Sequence, residues 1–493
     1  MSFTHAEWQA KAAALSIETR AFIGGQYVAA ASGKTFTKLN PATGAVLGEI
    51  AACDIEDVNR AVIAARAAFE AGHWARMAPK ERKLRLMRFA ELLLENRSEL
   101  ALLESLDTGK TIANAYGDDI PGAANCIRWF GELIDKVYDE VAPTAGSAVA
   151  LIRREAIGVV GAVVPWNYPL LMTAWKIAPI LAAGNSCVLK PAEQSPLTGI
   201  RIGQLAIEAG IPEVVLNVVP GMGETAGRAI GLHMDIDAVA FTGSTEVGKY
   251  FMTYSGQSNL KRVGLECGGK SPNIVLADCP NLDAAVEGSA WAIFYNAGET
   301  CSAGSRILVE EPIRDEFVEK LSAFANNLRV GDPLNPATQM GALVEDKHTD
   351  RVLSYIEIGK GEGATLAAGG ARIQGNFVQP TVFADVKNEM RIAQEEIFGP
   401  VASVITIKDF DEGLRLGNDS IYGLGAGVWT SDLQTAFRAS NELRAGVVWI
   451  NSFDAGDITT PFGGFKQSGF GRDKSAHAFD KYTDLKTTWI NLA

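Results

Sequence analysis

A chain of 493 residues, 47% of them hydrophobic, is long enough to bury more than one core, two to four units at about 100 to 200 residues each. Its 8% aromatic and 21% charged content, without biased tracts, excludes a disordered or fibrous polymer. A formal net charge of -13 disfavours nucleic acid and anionic membrane as partners. The start carries no secretory leader and no apolar run reaches about 18 residues, so a cytoplasmic location is expected.

Taken in chain order, apolar residues at helical spacing mark Asp57–Ala71 and a long segment from Glu81 to Leu106, with Leu93, Leu94, Leu102 and Leu103 as its buried stripe. Ser147–Arg153 reads as an exposed strand that needs a partner. Apolar, β-branched runs then alternate with helical stretches. Gly158–Val164, Ser186–Leu189, Val214–Val219, Ala238–Phe241 and Asn273–Leu276 read as strands, and Leu197–Ala209 as a helix. This alternation predicts an α/β unit, a parallel sheet covered by helices on both faces, which suits a dinucleotide. The second half predicts another such unit, with strands Arg306–Val309, Val401–Ile407, Ala426–Trp429 and Gly446–Ile450 and helices Asp315–Asn327 and Gln434–Leu443. Lys486–Leu492 is a second orphan strand.

Six cysteines (53, 126, 187, 267, 279 and 301) lie no closer than 12 positions apart, which writes neither a zinc knuckle nor a redox dithiol, and no metal is expected. A free cysteine is ordinarily a small buried hydrophobe. Cys301 is the exception to examine, because Asn296-Ala-Gly-Glu-Thr-Cys-Ser-Ala-Gly304 sets it in a small, backbone-rich loop. A thiol there is activated by helix-terminal N–H groups or by a base, and Leu265-Glu-Cys-Gly-Gly-Lys-Ser271 offers Glu266. In Val164-Pro-Trp-Asn-Tyr-Pro169, Asn167 sits between two prolines, where its amide can donate to a developing oxyanion; a plain structural corner fits the same residues. Phe241-Thr-Gly-Ser-Thr-Glu-Val-Gly248 is a strand-to-helix turn able to receive a phosphate, or simply a tight turn. Lys190 and Glu193 in Val188-Leu-Lys-Pro-Ala-Glu193 can hold ribose hydroxyls at a sheet edge, or form a solvated strand end.

With Glu395-Glu-Ile-Phe-Gly-Pro400 and Pro461-Phe-Gly-Gly-Phe-Lys-Gln-Ser-Gly469, these motifs in their order resemble the aldehyde dehydrogenase superfamily over nearly the whole chain. The resemblance implies an α/β fold with a Rossmann-like coenzyme domain (1–136 and 156–267), an α/β catalytic domain (268–480) and an oligomerisation flap of strands (137–155 and 481–493). Cys301 is then the nucleophile that adds to an aldehyde, Asn167 and the Cys301 N–H hold the oxyanion, and hydride passes to the nicotinamide. Glu266 activates the water that releases the acid. The coenzyme set implied is Trp166, Lys190, Glu193, Gly223, Gly243, Ser244, Glu396 and Phe398. A free Glu193 carboxylate favours NAD, with NADP also possible. Lys176 and Asp473 match a proton relay, although many relatives carry Glu where Asp473 stands.

The expected partners are a small-molecule aldehyde and further copies of the chain, as a dimer or tetramer. Asp118-Asp-Ile-Pro-Gly-Ala-Ala124, Gly456-Asp457 and Gly471-Arg-Asp-Lys-Ser475 resemble a bacterial group that oxidises ω-amino, guanidino or γ-glutamylamino butyraldehydes from polyamine and arginine breakdown. Cationic substrates want carboxylates at the tunnel mouth, for which Asp119, Asp454 and Asp457 are candidates. Tyr168, Met172, Trp175, Phe453 and Phe462 would line the tunnel, a wall that equally suits an arylacetaldehyde such as indole-3-acetaldehyde, or an aliphatic aldehyde.

Overall fold

The computed structural model describes residues 3–492; Met1, Ser2 and Ala493, the outermost positions of the first and last expected segments, lie outside them. Two sheets organise the molecule. The first has eight strands, in the order Gln26–Val28, Ala21–Ile23, Leu216–Val218, Ser186–Lys190, Val159–Val163, Ala238–Thr242, Arg262–Glu266 and Gly469–Phe470. Its five central strands are parallel. Val159–Val163 and Ser186–Lys190 are buried at every residue, because helices cover both faces, and this is why they appear as unbroken apolar runs.

Register places the chemistry. Val163 lies beside Lys190 and Thr242 beside Glu266, so the loops bearing Asn167, Glu193, Ser244 and Gly268 all leave from one carboxyl edge. Ligands of open α/β sheets bind at that edge.

The second sheet runs Thr365–Ala368, Thr381–Ala384, Val401–Ile407, Arg306–Glu310, Pro272–Val275, Gly425–Trp429 and Val447–Ile450. The run at 273–276, which continues the first unit's alternation in sequence, therefore belongs to the second sheet, between Arg306–Glu310 and Gly425–Trp429. Separate apolar cores lie behind the two sheets, the second from Ile274 to Leu443. After the second sheet the chain returns to the first: Gly469–Phe470 pairs with Arg262–Glu266, and Ala478, Phe479 and Tyr482 pack into the first core.

The long helical segment is two helices, Pro79–Glu95 and Arg97–Thr108. Asn96 leaves helical geometry (φ -98°, ψ 18°), and its amide caps the first helix by donating to Leu92 O at 2.8 Å. Leu93, Leu102 and Leu103 are buried as expected, but Leu94 is 41% exposed, being one helical step off the stripe. The two orphan strands find each other: Thr483–Asn491 pairs antiparallel with Ala148–Ala156 along its whole length, with Glu140–Ala142 on the far side.

Candidate active site

A cavity of about 850 Å³ opens at the carboxyl edge of the first sheet and reaches the loops of the second. Cys301, Glu266 and Asn167 line it, as do all the residues expected around coenzyme and substrate except Asp457.

Cys301 follows helix Leu282–Phe294 and a turn in which Asn296 and Ala297 take φ of 48° and 55°. Left-handed backbone outside glycine needs a compensating hold. The Asn296 amide supplies it, donating to Asn167 O at 3.1 Å and Glu299 O at 3.2 Å, while Asn167 Nδ2 donates to Glu299 O at 2.7 Å. The Asn167 amide retains a second N–H. A side chain at Gly269 would come within 2.6 Å of Cys301 O, which accounts for one glycine of the Gly-Gly pair. Burial pushes the Cys301 thiol above its ordinary range, as do the carboxylates of Asp454, Glu396 and Glu266, with the Ser302 N–H opposing. The thiol is neutral at physiological pH and needs a proton acceptor to become a nucleophile.

Glu266 ends strand Arg262–Glu266, is 5% exposed, and has no hydrogen-bond partner on either oxygen among the described residues. Burial and the charge of Asp473 push its carboxyl up to about 8, against Lys176, Lys481 and Arg472. A Cβ at Gly463 would meet Glu266 Oε1 at 2.7 Å, so this glycine leaves the carboxyl its space. Asp473 is the opposite case. It is fully buried between Lys176 and Lys481, and although burial raises it, the two ammonium groups hold it below the ordinary carboxylate range. Lys176 does not line the cavity and reaches it through Asp473, which does.

At the sheet edge, Lys190 Nζ lies 2.6 Å from Glu193 Oε2. Burial raises the Glu193 carboxyl, but Lys190 and the N–H groups of Glu193 and Gly223 outweigh it and keep the group ionised. Ser244 caps helix Thr245–Gln257, and Gly243 N donates to Glu266 O at 3.0 Å. Glu396 Oε1 accepts from Gly269 N at 3.1 Å, in space that a Cβ at Gly268 would invade at 2.1 Å from Oε2. Burial lifts Glu396 to about 7, against the Gly269 N–H, Arg351 and Lys270. Trp166 sits edge-to-face on Phe398 and on His348, each at 5.2 Å. A helix N-terminus, glycines bare of side chains, a ribose-sized carboxylate–lysine pair and a buried carboxylate are the donor set of a dinucleotide site, so these residues fit NAD.

Sequence reasoning missed His348 and Arg351 in this wall. His348 Nε2 pairs with Phe398 O at 2.7 Å, and Arg351 donates to Glu396 O at 2.7 Å. Their only signal is a spacing of three on one helix, Asp346–Gly361.

The substrate end is aromatic. Trp175 meets Phe462 at 5.3 Å and Trp449 meets Phe453 at 4.8 Å, with Met172, Trp291 and Tyr295 also lining the wall. Tyr168 shares a 2.8 Å hydrogen bond with Thr300 and carries Lys110 Nζ 3.9 Å over its ring. Two of the expected mouth carboxylates are not free to meet a substrate cation. Asp119 is 2% exposed and bound by Lys110 at 2.5 Å, since a charge so buried must be paired; Asp457 faces solvent outside the cavity and caps Thr459 at 2.8 Å. Asp118 is the exposed acid of that pair of aspartates, accepting from Tyr295 Oη at 3.0 Å. Asp454 lines the cavity and accepts from Ser302 Oγ at 3.0 Å.

A family model described as the aldehyde dehydrogenase family matches residues 27–488. The chain belongs to the aldehyde dehydrogenase family. It is 52% identical, over all of both chains, to the NADP/NAD-dependent aldehyde dehydrogenase PuuC of Escherichia coli. A solved indole-3-acetaldehyde dehydrogenase complexed with NAD+ matches at TM-score 0.99 and 56% identity, and a γ-glutamyl-γ-aminobutyraldehyde dehydrogenase from Burkholderia cenocepacia at 0.98 and 56%, each covering 100% of both chains. The expected fold and enzyme class, an aldehyde dehydrogenase with a nicotinamide coenzyme, are borne out. No helix among the described residues is long and apolar enough to cross a membrane.

Proposed function

We propose that this dehydrogenase oxidises a nitrogen-bearing butyraldehyde, ω-amino, guanidino or γ-glutamylamino, to its acid through a thioester on Cys301, with NAD preferred. The observation that carries the reading is the shared cavity, in which Cys301, the Asn167 amide and the unpartnered Glu266 carboxyl stand between a dinucleotide wall and an aromatic tunnel. Glu266 takes the thiol proton, and the sulfur adds to the aldehyde carbon. The spare Asn167 N–H and the Cys301 N–H hold the oxygen that becomes negative. When bound, NAD supplies the hydride acceptor. Once it has released the thiol proton to solvent, Glu266 draws a proton from water, whose oxygen attacks the thioester carbon, and returns that proton to Cys301 as the thiol leaves. Lys190, Glu193, Gly223, Gly243 and Ser244 would hold the adenosine and phosphate half, and Trp166, Glu396 and Phe398 the nicotinamide half. The negative charge of Asp473, held in place by Lys176, stands behind Glu266 and favours its uptake of protons.

A relative's printed name, γ-glutamyl-γ-aminobutyraldehyde dehydrogenase, supports the substrate, as do Asp118 and Asp454, which accept hydrogen bonds from Tyr295 and Ser302 but form no ion pair with a described residue. A second reading, an arylacetaldehyde such as indole-3-acetaldehyde, is favoured by the Trp175, Phe462 and Phe453 wall and by the name of another relative. NADH formation across 4-aminobutanal, 4-guanidinobutanal, γ-glutamylaminobutanal, indole-3-acetaldehyde, phenylacetaldehyde and hexanal decides between them. Highest kcat/KM on the nitrogen-bearing butanals is expected; highest on the aryl or alkyl aldehydes would refute the substrate assignment. We further read the enzyme as a cytoplasmic homo-oligomer, dimer or tetramer, joined through the flap, whose edge strand exposes Leu485, Trp489 and Ile490. Removing residues 486–493 should lower the mass in solution, and an unaltered mass counts against the flap.

A further inference from the structure

Lys474, in the Gly471–Ser475 segment, has no part in the chemistry above. Its backbone and that of Ser475 are left-handed (φ 60° and 47°), and the residues on either side are clamped. Asp473 exchanges two backbone hydrogen bonds with Phe462 at 2.7 and 2.8 Å, and Ser475 N donates to Ile458 O at 2.8 Å. This turns the lysine back into the cavity wall, half-buried, with Nζ 5.5 Å from the Trp175 ring and 3.3 Å from where a Cβ at Gly456 would stand. The other cations of the wall are engaged: Lys190 with Glu193, and Arg351 with Glu396 O. Lys474 has neither an ion pair nor a hydrogen bond with any described residue, although Asp454 and Asp457 act on it from a distance.

A half-buried ammonium that no protein acceptor neutralises keeps its charge for an anion entering the cavity. A plain ω-amino or guanidino chain would bring a second cation to this wall and be repelled. We infer that Lys474 receives a carboxylate at the far end of the substrate, so that the favoured aldehyde ends in an amino-acid zwitterion, its ammonium facing Asp454 and Asp118. Asp454 is suited to this, since only one of its carboxylate oxygens is occupied, by Ser302. The inference rests on the reading of a nitrogen-bearing butanal and selects the γ-glutamylamino member from it.

The test is the ratio of kcat/KM for γ-glutamylaminobutanal to that for 4-aminobutanal, in the parent enzyme, Lys474→Met and Lys474→Arg. A ratio measured on one sample is independent of its folded fraction. The parent should favour the zwitterion, Lys474→Met should cut the ratio about tenfold, chiefly through KM, and Lys474→Arg should restore most of it. A parent that favours 4-aminobutanal, or a ratio that Lys474→Met leaves within about twofold, overturns the inference. Asp454→Asn examines the other half separately, by comparing γ-glutamylaminobutanal with its analogue lacking the α-amino group. The variant should lose most of the parent's preference for the amino compound, and a preserved preference overturns the ammonium assignment. A parent enzyme that turns over indole-3-acetaldehyde or hexanal better than every nitrogen-bearing butanal instead sinks the reading beneath it.

Discussion

The two ends of the cavity are built on different principles. At the coenzyme end the backbone does the shaping: Gly268 and Gly269 leave room for Glu396 and Cys301, Ser244 caps a helix, and Lys190 is paired with Glu193. At the substrate end the wall consists of side chains on irregular loops, with left-handed backbone at Asp454, Lys474 and Ser475 and with Lys474 unpaired. The contrast separates what every aldehyde needs, carried by positions where only one residue type fits, from what a particular aldehyde needs, carried by loops that tolerate change. Cys301 and Glu266 stand at the junction.

Breaking the junction should have the largest effect. Cys301→Ala is expected to lower steady-state NADH formation by about four orders of magnitude or more while NADH still binds in a fluorescence titration. Residual turnover near the parent rate would refute covalent catalysis. Glu266→Gln should cost about 10²- to 10⁴-fold in steady state and slow the first burst of NADH as well, because the thiol and the hydrolytic water both lose their proton acceptor. With the Glu266 carboxyl raised to about 8, the active, ionised form grows as pH rises, so the parent's rate should climb towards a limb near that pH. A flat profile would remove Glu266 as the base. Asn167→Ala should cost about 10²- to 10³-fold in kcat with little change in KM, the mark of a donor used in the transition state.

Asp473→Asn sharpens the contrast between two neighbouring buried carboxylates. It leaves Lys176 and Lys481 buried without their counter-charge, which should cost about 3 to 5 kcal/mol in denaturant unfolding. The folded pKa of Asp473 lies below its ordinary value, so the pair's contribution is complete above that value and is lost as pH falls through the depressed one. The same charge raises Glu266, so the variant's rising limb should move to lower pH. An unmoved limb would uncouple the two groups.

What was legible in the sequence follows the same division. Val159–Val163, Ser186–Lys190 and Val401–Ile407 lie in sheet interiors, so their apolar runs mark them directly. The glycine-bearing motifs were legible because a Cβ at Gly268, Gly269 or Gly463 would strike a functional group. Asn96 was not, since buried leucines continue on both sides of the break. Nor could sequence tell Asp118 from Asp119: the wide helical turn Ala115–Asp119 and Lys110, nine positions upstream, decide which acid is buried. His348 and Arg351 come from a helix without any motif, carried to the coenzyme wall only by the packing of the second unit.

The smallest expected effect concerns coenzyme choice. Glu193 is ionised, and its pairing with Lys190 has two consequences for a 2′-phosphate: the carboxylate repels it, and the ammonium that could receive it is already neutralised. Glu193→Gln removes the repulsion and frees Lys190 in one step, whereas at the substrate mouth charge reversal acts through loops that can shift. The variant should therefore raise kcat/KM with NADP relative to NAD by about tenfold, mainly through KM, while leaving the preference among aldehydes unchanged. If the ratio stays where it was, Glu193 does not face the ribose, and selection between the coenzymes must lie with Gly223 and the turn that follows it. If the aldehyde preference moves as well, the two ends of the cavity are coupled, and the division drawn between them fails.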